Sequence, residues 1–549
     1  MSRQTRRKFL KQASGVAGLA ATSSFIGTKL FAQTSGQRPN ILFISVDDLN
    51  DYPGAFGGYH GVLTPNMDRL AREGVAFQRA YCAGPYCGAS RSSLMTGAAP
   101  HRSGIVGNYH ILSDDMKPAA MQRLGQTSIL TLPAHFKAAG YKTLGGGKLY
   151  HAGFGHGANN VTRDESSWDM WFNTSFNEIA HAFPGVRNFR DNRTAAQLNA
   201  GEGAPGDLPS MIGADYNTLD QENMTPDKLL AKWGTEQFMT GAVNASQPFF
   251  MGLGFYRPHI GMFVPQRFYD MYPLESIRVP DFRGQLEDLR DLPEYALRYL
   301  INMDWTAYGK RMPDGSISSD HYLLQAMLAK QNRSGHAQAI QAYLASITYV
   351  DECIGQVLAA LDRSGLRQNT IVVLWSDHGW FLGEKLSWQK FKMWEKASRV
   401  PLVISTPNGP RGNCYSPVSL LDVFPTLAEL AHAPIPDAYK RQIDGRSLTS
   451  HLANPGAEYS TYAVTTQSIL RSGDLGPGQP GPGTDIFHSL RTNRWRYTKY
   501  PDLPGAALSE ELYDLRNDPG ETRNLLFWEP DRHADVRATL AELLRRRTS

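Results

Sequence analysis

The sequence predicts an α/β fold, a large and mostly parallel sheet sandwiched by helices, followed by a smaller C-terminal α/β subdomain. Three observations carry this reading. Asn40-Ile41-Leu42-Phe43-Ile44-Ser45-Val46, Phe249 to Gly254 and Thr370 to Trp375 are continuous runs of aliphatic, aromatic and β-branched residues, which read as strands buried on both faces. Helical patterns alternate with these strands, as they do when helices cover both faces of an open sheet. No period of about 20 to 50 residues recurs, which argues against a solenoid or a propeller.

The elements follow in order. Residues 1–32 open on Thr5-Arg6-Arg7-Lys8-Phe9-Leu10-Lys11, continue in a weakly apolar run from Ala13 to Ile26, and reach Leu30-Phe31-Ala32, a cleavage-site tripeptide. The run is too short and too rich in Ser, Thr and Gly to cross a bilayer, which takes about 20 apolar residues. The segment resembles a twin-arginine export signal more than a basic disordered arm. The expectation is a bacterial protein handed to the twin-arginine translocase and then periplasmic or secreted, with no stable membrane insertion. A first large domain, 33–455, contains the strands. Within it, Thr64-Pro65-Asn66-Met67-Asp68-Arg69-Leu70-Ala71-Arg72-Glu73-Gly74 has an N-cap Thr, Pro at the first helical position, apolar residues at helical spacing and Gly at the stop. Gln338 to Leu361 reads as a long amphipathic helix with Tyr343, Ile347, Val350 and Ile354 on one stripe. A smaller unit, 456–549, has short aromatic runs and a closing helix, Ala534 to Arg547. Gly201 to Gly213 reads as a Gly/Pro-containing insertion and Gly473 to Gly483 as a flexible surface loop, and loops such as Arg187 to Asn217 and Gly473 to Gly483 are expected to select the substrate.

At 549 residues, 41% of them hydrophobic and 20% charged, the chain can bury a substantial core. Six basic residues and no acid fall in residues 1–32, so the formal charge of +4 becomes −2 without them. A body of that charge has no global field for a polyanion, and nucleic acid is not expected as a partner. Anions must be recognised by a few local cations. Four cysteines, Cys82, Cys87, Cys353 and Cys414, lack zinc spacing and supply at most one disulfide.

Ligand sites of open α/β sheets lie beyond the carboxyl ends of the strands. Asp47 and Asp48 end one such strand, and Asp377 with His378 follows another. Gathered in one crevice, these carboxylates would resist joint ionisation unless a hard divalent cation sat among them. Taken singly, each also fits a cap or a turn. Ser90 to Met95 reads as the first turns of a helix, which places Cys87 at or just before its anion-stabilising amino end.

Cys87-Gly88-Ala89-Ser90-Arg91, continuing to Leu94-Met95-Thr96-Gly97, resembles the signature of type I sulfatases, in which the Cys is oxidised to formylglycine. Cys82 has no Arg four residues on and does not compete. The resemblance spans nearly all of the chain after residue 32 and is closest to the iduronate-2-sulfatase-like branch. Val46-Asp47-Asp48-Leu49 and Ser376-Asp377-His378-Gly379-Trp380 resemble its two metal motifs. Gly147-Lys148-Leu149-Tyr150-His151 is similar to its Lys/His motif, Gly254-Phe255-Tyr256-Arg257-Pro258-His259-Ile260 to its leaving-group histidine motif, and Trp388-Gln389-Lys390 before Arg399-Val400-Pro401-Leu402 to its sulfate-binding lysine. Glu511-Leu512-Tyr513-Asp514-Leu515, Asp518-Pro519 and Asn524-Leu525 resemble its carboxyl domain.

The resemblance implies an alkaline-phosphatase-like fold and one calcium ion held by Asp47, Asp48, Asp377, His378 and the modified Cys87. It implies that Lys148 and Lys390 neutralise the sulfuryl group, that Arg91 orients the hydrated aldehyde, that His259 protonates the leaving oxygen and that His151 deprotonates the second hydroxyl. A sulfated carbohydrate is the implied substrate, and a formylglycine-generating enzyme the implied maturation partner. His378 is an unusual calcium ligand, since this ion prefers oxygen. Arg257 has a planar fork suited to a carboxylate, of the substrate or of the chain itself. Trp380 fits either a sugar platform or the core. Two other functions share these motifs: a phosphonate or phosphate ester hydrolase, and an unmodified protein that binds sulfated glycans.

Overall fold

Successive residues of the first strand point into two different cores. In the computed structural model, which describes residues 38–151, 164–173, 212–214, 222–302, 333–470 and 484–548 apart from 115, 282, 283, 285, 286, 503 and 504, β1 (Asn40–Val46) sends Leu42, Ile44 and Val46 to one core and Ile41 and Phe43 to the other. It lies inside an eight-stranded sheet with β2 (Val75–Phe77), β3 (Lys142–Gly147), β4 (Met170–Phe172), β5 (Phe249–Phe255), β6 (Thr370–Ser376), β7 (Leu402–Ser405) and β8 (Gly412–Cys414). The spatial order is β8-β2-β7-β6-β1-β5-β3-β4. β1 runs parallel to β5 and β6, β3 runs parallel to β5 and β4, and β7 runs against its neighbours β6 and β2. Val46 is level with Phe255 and with Ser376, and Gly147 is level with Gly254. The residues that follow these four strands therefore start from one edge of the sheet.

Among the described residues, the helices around this sheet and the C-terminal one include α1 (Pro65–Glu73), α2 (Cys87–Thr96), α3 (Leu132–Ala138), α4 (Pro226–Met239), α5 (Arg333–Arg363), α6 (Val423–Leu430) and α7 (Ala534–Thr548). Met67 and Leu70 of α1, Leu230 of α4 and Ile340, Ile347 and Val350 of α5 fill one core. Leu94 and Met95 of α2, Phe136 of α3 and Phe424 and Leu427 of α6 fill the other.

Two helices differ from their sequence reading. α5 is longer than expected, and besides its predicted stripe it buries Ala345, Tyr349 and Cys353, because α4 packs across it. It is the one described helix long and apolar enough to cross a membrane, and its place in the core explains that composition. The Thr64 side chain does not cap α1. Its hydroxyl accepts from Gly54 N and lies 3.1 Å from Asp68 Oδ1. The carboxylate of Asp351, on α5, accepts instead from Asn66 N at 3.1 Å and Met67 N at 2.7 Å. Gly74 is extended rather than left-handed; a Cβ there would sit 2.8 Å from Ile404 O, so close approach to β7 is what requires glycine.

All four cysteines are buried and unbridged. After the large sheet, β9 (Tyr462–Leu470), β10 (Thr484–Thr492), β11 (Trp495–Lys499) and β12 (Glu510–Asp514) form an antiparallel sheet in that order. Leu540 and Leu544 of α7 pack on it against Leu490, Tyr497 and Leu512. Of the insertion 201–213 and the loop 187–217, only the strand Ile212–Ala214 is among the described residues, paired with Met262–Val264. The insertion 473–483 lies outside them.

Candidate active site

The ends of β1 and β6 bring their acids together. Asp48 adopts a left-handed backbone, φ 62°, which Asp tolerates better than most residues. Its N–H donates to Asp377 Oδ1 at 3.0 Å, and the Tyr343 hydroxyl of α5 donates to its carbonyl at 2.7 Å. Cys87 is the first residue of α2, and Arg91 follows one turn later on the same side. Arg91 Nε donates to Asp377 and NH2 to Asp47, both at 2.9 Å, while NH1 donates to the Lys148 carbonyl. One buried guanidinium thus ties the ends of β1, β3 and β6 to α2.

Two lysines complete the centre. Lys390 Nζ lies 2.8 Å from Asp48 Oδ1 and 3.1 Å from Cys87 Sγ. Lys148 Nζ donates to Asp47 and lies 3.9 Å from Cys87 Sγ. His378 Nε2 is 3.2 Å from Cys87 Sγ, 3.4 Å from Asp48 and 3.6 Å from Asp377. His259 Nε2 is 4.0 Å from Asp47 and 3.8 Å from Asp48. His151 is buried beside the same two lysines. The residues read from the sequence as catalytic or metal-binding therefore converge, all of them buried.

Burial and charge pull against each other here. Burial raises the Asp48 carboxyl to about 7 although Lys390 opposes it. At Asp47 burial is outweighed by Lys148, His259 and Arg91, and at Asp377 by Arg91, His378 and Lys148, so both stay below the usual carboxylate range. Burial also works against His378, but Asp377, Cys87 and Asp48 lift it to about 9. Lys148, Lys390 and His378 overcome burial and lower the Cys87 thiol. His151 and His259 are held well below the ordinary imidazole value by burial and then by Lys148 and Lys390.

The donor set fits a cation. Asp48, Cys87, Asp377 and His378 offer ligand atoms within 4.8 Å of one another, and Asp47, Asp48 and His259 form an overlapping group. His378 turns Nδ1 to the Gly379 carbonyl at 3.1 Å, which leaves Nε2 facing the acids. The three carboxylates suit a hard divalent ion, and His378 adds a nitrogen donor that such an ion takes less readily.

The structure places two residues left open by the sequence. Arg257 turns its fork to the Phe263 carbonyl, with Nε at 3.3 Å and NH2 at 3.1 Å, and is buried beside Asp227. This is a contact within the chain but not a salt bridge, and Nη1 is buried with no hydrogen-bond partner among the described residues. Trp380 is core: it stacks on Tyr343, and Lys390 Nζ stands 5.8 Å from its ring. Sequence reasoning missed Tyr343 as a brace of Asp48. It also missed Ser45, whose hydroxyl donates to Lys148 O at 3.1 Å, and Ser90, which donates to Asp377 O at 2.5 Å. Ser90 lies inside the Cys87 motif and could have been found there; Tyr343 carried only the signal of a helical stripe.

Comparison with known proteins agrees with this geometry. Residues 39–433 match the sulfatase family. A sulfatase of Formosa agariphila is 33% identical over 92% of this chain and 87% of its own length. Human iduronate 2-sulfatase is 26% identical over 92% of this chain and 94% of its own. The crystal structure of a phosphonate monoester hydrolase of Agrobacterium radiobacter, 20% identical, superposes with a TM-score of 0.66 over 93% of this chain and 95% of that one, a likeness of fold. With a type I sulfatase signature at Cys87, an alkaline-phosphatase-like sheet and a family match over most of its length, the chain belongs to the sulfatase family and is a sulfuric ester hydrolase.

Proposed function

We propose that the chain is an exported sulfatase that hydrolyses sulfate esters of carbohydrates, the 2-position of a uronate being the favoured substrate class, through formylglycine made from Cys87 and one calcium ion. The observation that carries this is the convergence of Lys390, His378 and Lys148 on Cys87 Sγ beside three buried acids. The likeness to a relative named iduronate 2-sulfatase supports the sugar ester. The fold shared with the phosphonate hydrolase carries no reaction with it.

Asp47, Asp48, Asp377, His378 and the modified residue 87 would hold calcium. When bound, it would withdraw charge from a sulfate oxygen and acidify the attacking hydroxyl. Formylglycine would supply a hydrated aldehyde, with one hydroxyl to attack sulfur and another to release sulfate by returning to the aldehyde, two easier steps in place of one. Lys148 and Lys390 provide fixed positive charge where the sulfuryl oxygens gain negative charge. Arg91 holds Asp47 and Asp377 in place and orients residue 87. His259, held neutral by burial and the two lysines, would have to gain a proton when the anionic substrate binds in order to deliver it to the leaving oxygen, and His151, neutral as well, would take one from the second hydroxyl.

Cys87 has no exposed surface. A formylglycine-generating enzyme would have to reach it before α2 packs against β6, hence in the cytoplasm and before the twin-arginine translocase, which carries folded cargo. Only unmodified precursor in the cytoplasm with modified protein outside it would contradict that order. Mass spectrometry of the peptide Ala80 to Arg91 from the native host should show Cys87 converted, and Cys87→Ala should lose sulfate release. Full activity in that variant rejects the nucleophile, whereas an unconverted thiol in native protein favours glycan binding without turnover. Aryl sulfate should be cleaved faster than aryl phosphonate; the reverse order would favour the phosphonate reading.

A further inference from the structure

The segment that presents Lys390 is bent against the preference of its own residues. Gln389 and Phe391, on either side of the lysine, have φ of 69° and 74°, a region that residues other than glycine rarely enter. Such backbone persists where the surroundings over-determine it. Here one surrounding group comes from the C-terminal sheet. Gln467, on β9 and without exposed surface, donates Nε2 to the Phe391 carbonyl at 3.0 Å, and its Oε1 accepts from Ser468 N at 2.8 Å. From the other side Phe391 N donates to Pro85 O at 3.2 Å, and the Phe391 ring lies 4.7 Å from that of Tyr86, the residue before Cys87. The same strand grips the nucleophile loop, with Thr465 Oγ1 donating to Cys82 O at 2.9 Å and Thr466 N to Ala83 O at 2.7 Å. Beyond Phe391, Arg496 of β11 donates to Met393 O at 2.8 Å.

We infer that Gln467 is a positioning residue for the sulfatase reaction: reaching across from the C-terminal sheet, it fixes the left-handed turn at Phe391 that aims Lys390 at Cys87 and Asp48. The inference rests on the reading of Lys390 as a cation of the active site. It gives the C-terminal sheet a part in turnover and not in stability alone.

A double-mutant cycle tests it on the full, matured enzyme, with sulfate release as the assay and thermal melting to confirm folding. Gln467→Met keeps the volume and removes the donor; Gln467→Asn, which keeps the amide but falls short of Phe391, replaces it should the first variant not fold. Q467M should lower kcat/KM about tenfold, the worth of one hydrogen bond. Lys390→Ala should lower it on the order of a hundredfold or more. Adding Q467M to K390A should cost nothing further, because the amide acts through the lysine. An equal loss from Q467M in both backgrounds, or none in the folded single variant, overturns the inference while leaving Lys390 in its role. Full activity in K390A would instead reject the reading of Lys390 and the inference with it.

Discussion

His259 presents Nε2 to the acids that end β1 while its Nδ1 faces the Ile260 carbonyl, so one nitrogen alone serves the reacting centre. A group that protonates the leaving oxygen matters in proportion to the basicity of that oxygen. His259→Ala should therefore slow hydrolysis of a sugar sulfate by roughly 10² to 10⁴ and that of nitrophenyl sulfate far less, since a phenolate departs without help. Paired kcat measurements on the two esters check this, and equal losses would mean that the imidazole acts by another route. At this scale the convergence of the side chains was foreseeable, because Cys87 with Arg91, Lys148 with His151, and Asp377 with His378 each sit in a short motif that resembles one of the sulfatase family. Tyr343 and Gln467 were not legible. Each acts on a backbone carbonyl, of Asp48 and of Phe391, that only the folded chain brings near. Arg257 beside His259 reads equally well as a partner for substrate or for the chain itself, and only the fold shows that two of its nitrogens go to the Phe263 carbonyl.

The strands were readable because a run such as Ile41 to Ile44 alternates between two apolar cores and so has no polar side to show. Helix ends were less so. The sequence offers Thr64 as the cap of α1, yet the carboxylate that does the capping stands 285 residues away on α5, where Asp351 accepts from Asn66 N, Asn66 Nδ2 and Met67 N. A local pattern cannot report a distant acceptor. Asp351→Ala leaves two amides of the first turn, one buried and one half-buried, without their partner and should cost about 2 kcal/mol. Asp351→Asn, which keeps one oxygen for them, should cost less. Chemical denaturation of the two variants checks the order, whereas Thr64→Ala outranking D351A would return the cap to Thr64.

Across the whole molecule the two sheets are joined by charge as well as by apolar contact. Glu395, just past Lys390, receives Tyr81 at 3.0 Å, Arg491 at 2.9 Å and Arg496 at 2.5 Å, so a single carboxylate links the short strand Ala80–Tyr81 before α2 to β10 and β11. Burial is overcome there by Arg491, Arg496 and Arg399, which bring Glu395 to about 2; its contribution is complete above its unfolded value near 4.5 and is lost as the pH falls toward 2. Glu511 has the opposite sign. Buried in β12, where it accepts from the hydroxyls of Tyr500 at 3.0 Å and Tyr513 at 3.3 Å, it is raised by burial to about 8 despite Lys385. An acid whose folded value exceeds its unfolded one binds its proton more tightly in the fold. Its stabilising effect is whole below about 4.5 and disappears as the pH climbs to about 8. Glu521, raised to about 7 by burial, adds to that decline. Glu511→Gln cannot ionise, so its melting temperature should gain on the wild type between about pH 5 and about pH 9, each unit of removed shift being worth about 1.4 kcal/mol before relaxation reduces it. The comparison is a pair of melting curves against pH, and a constant difference between the two proteins across that range would show that Glu511 is not neutral in the fold.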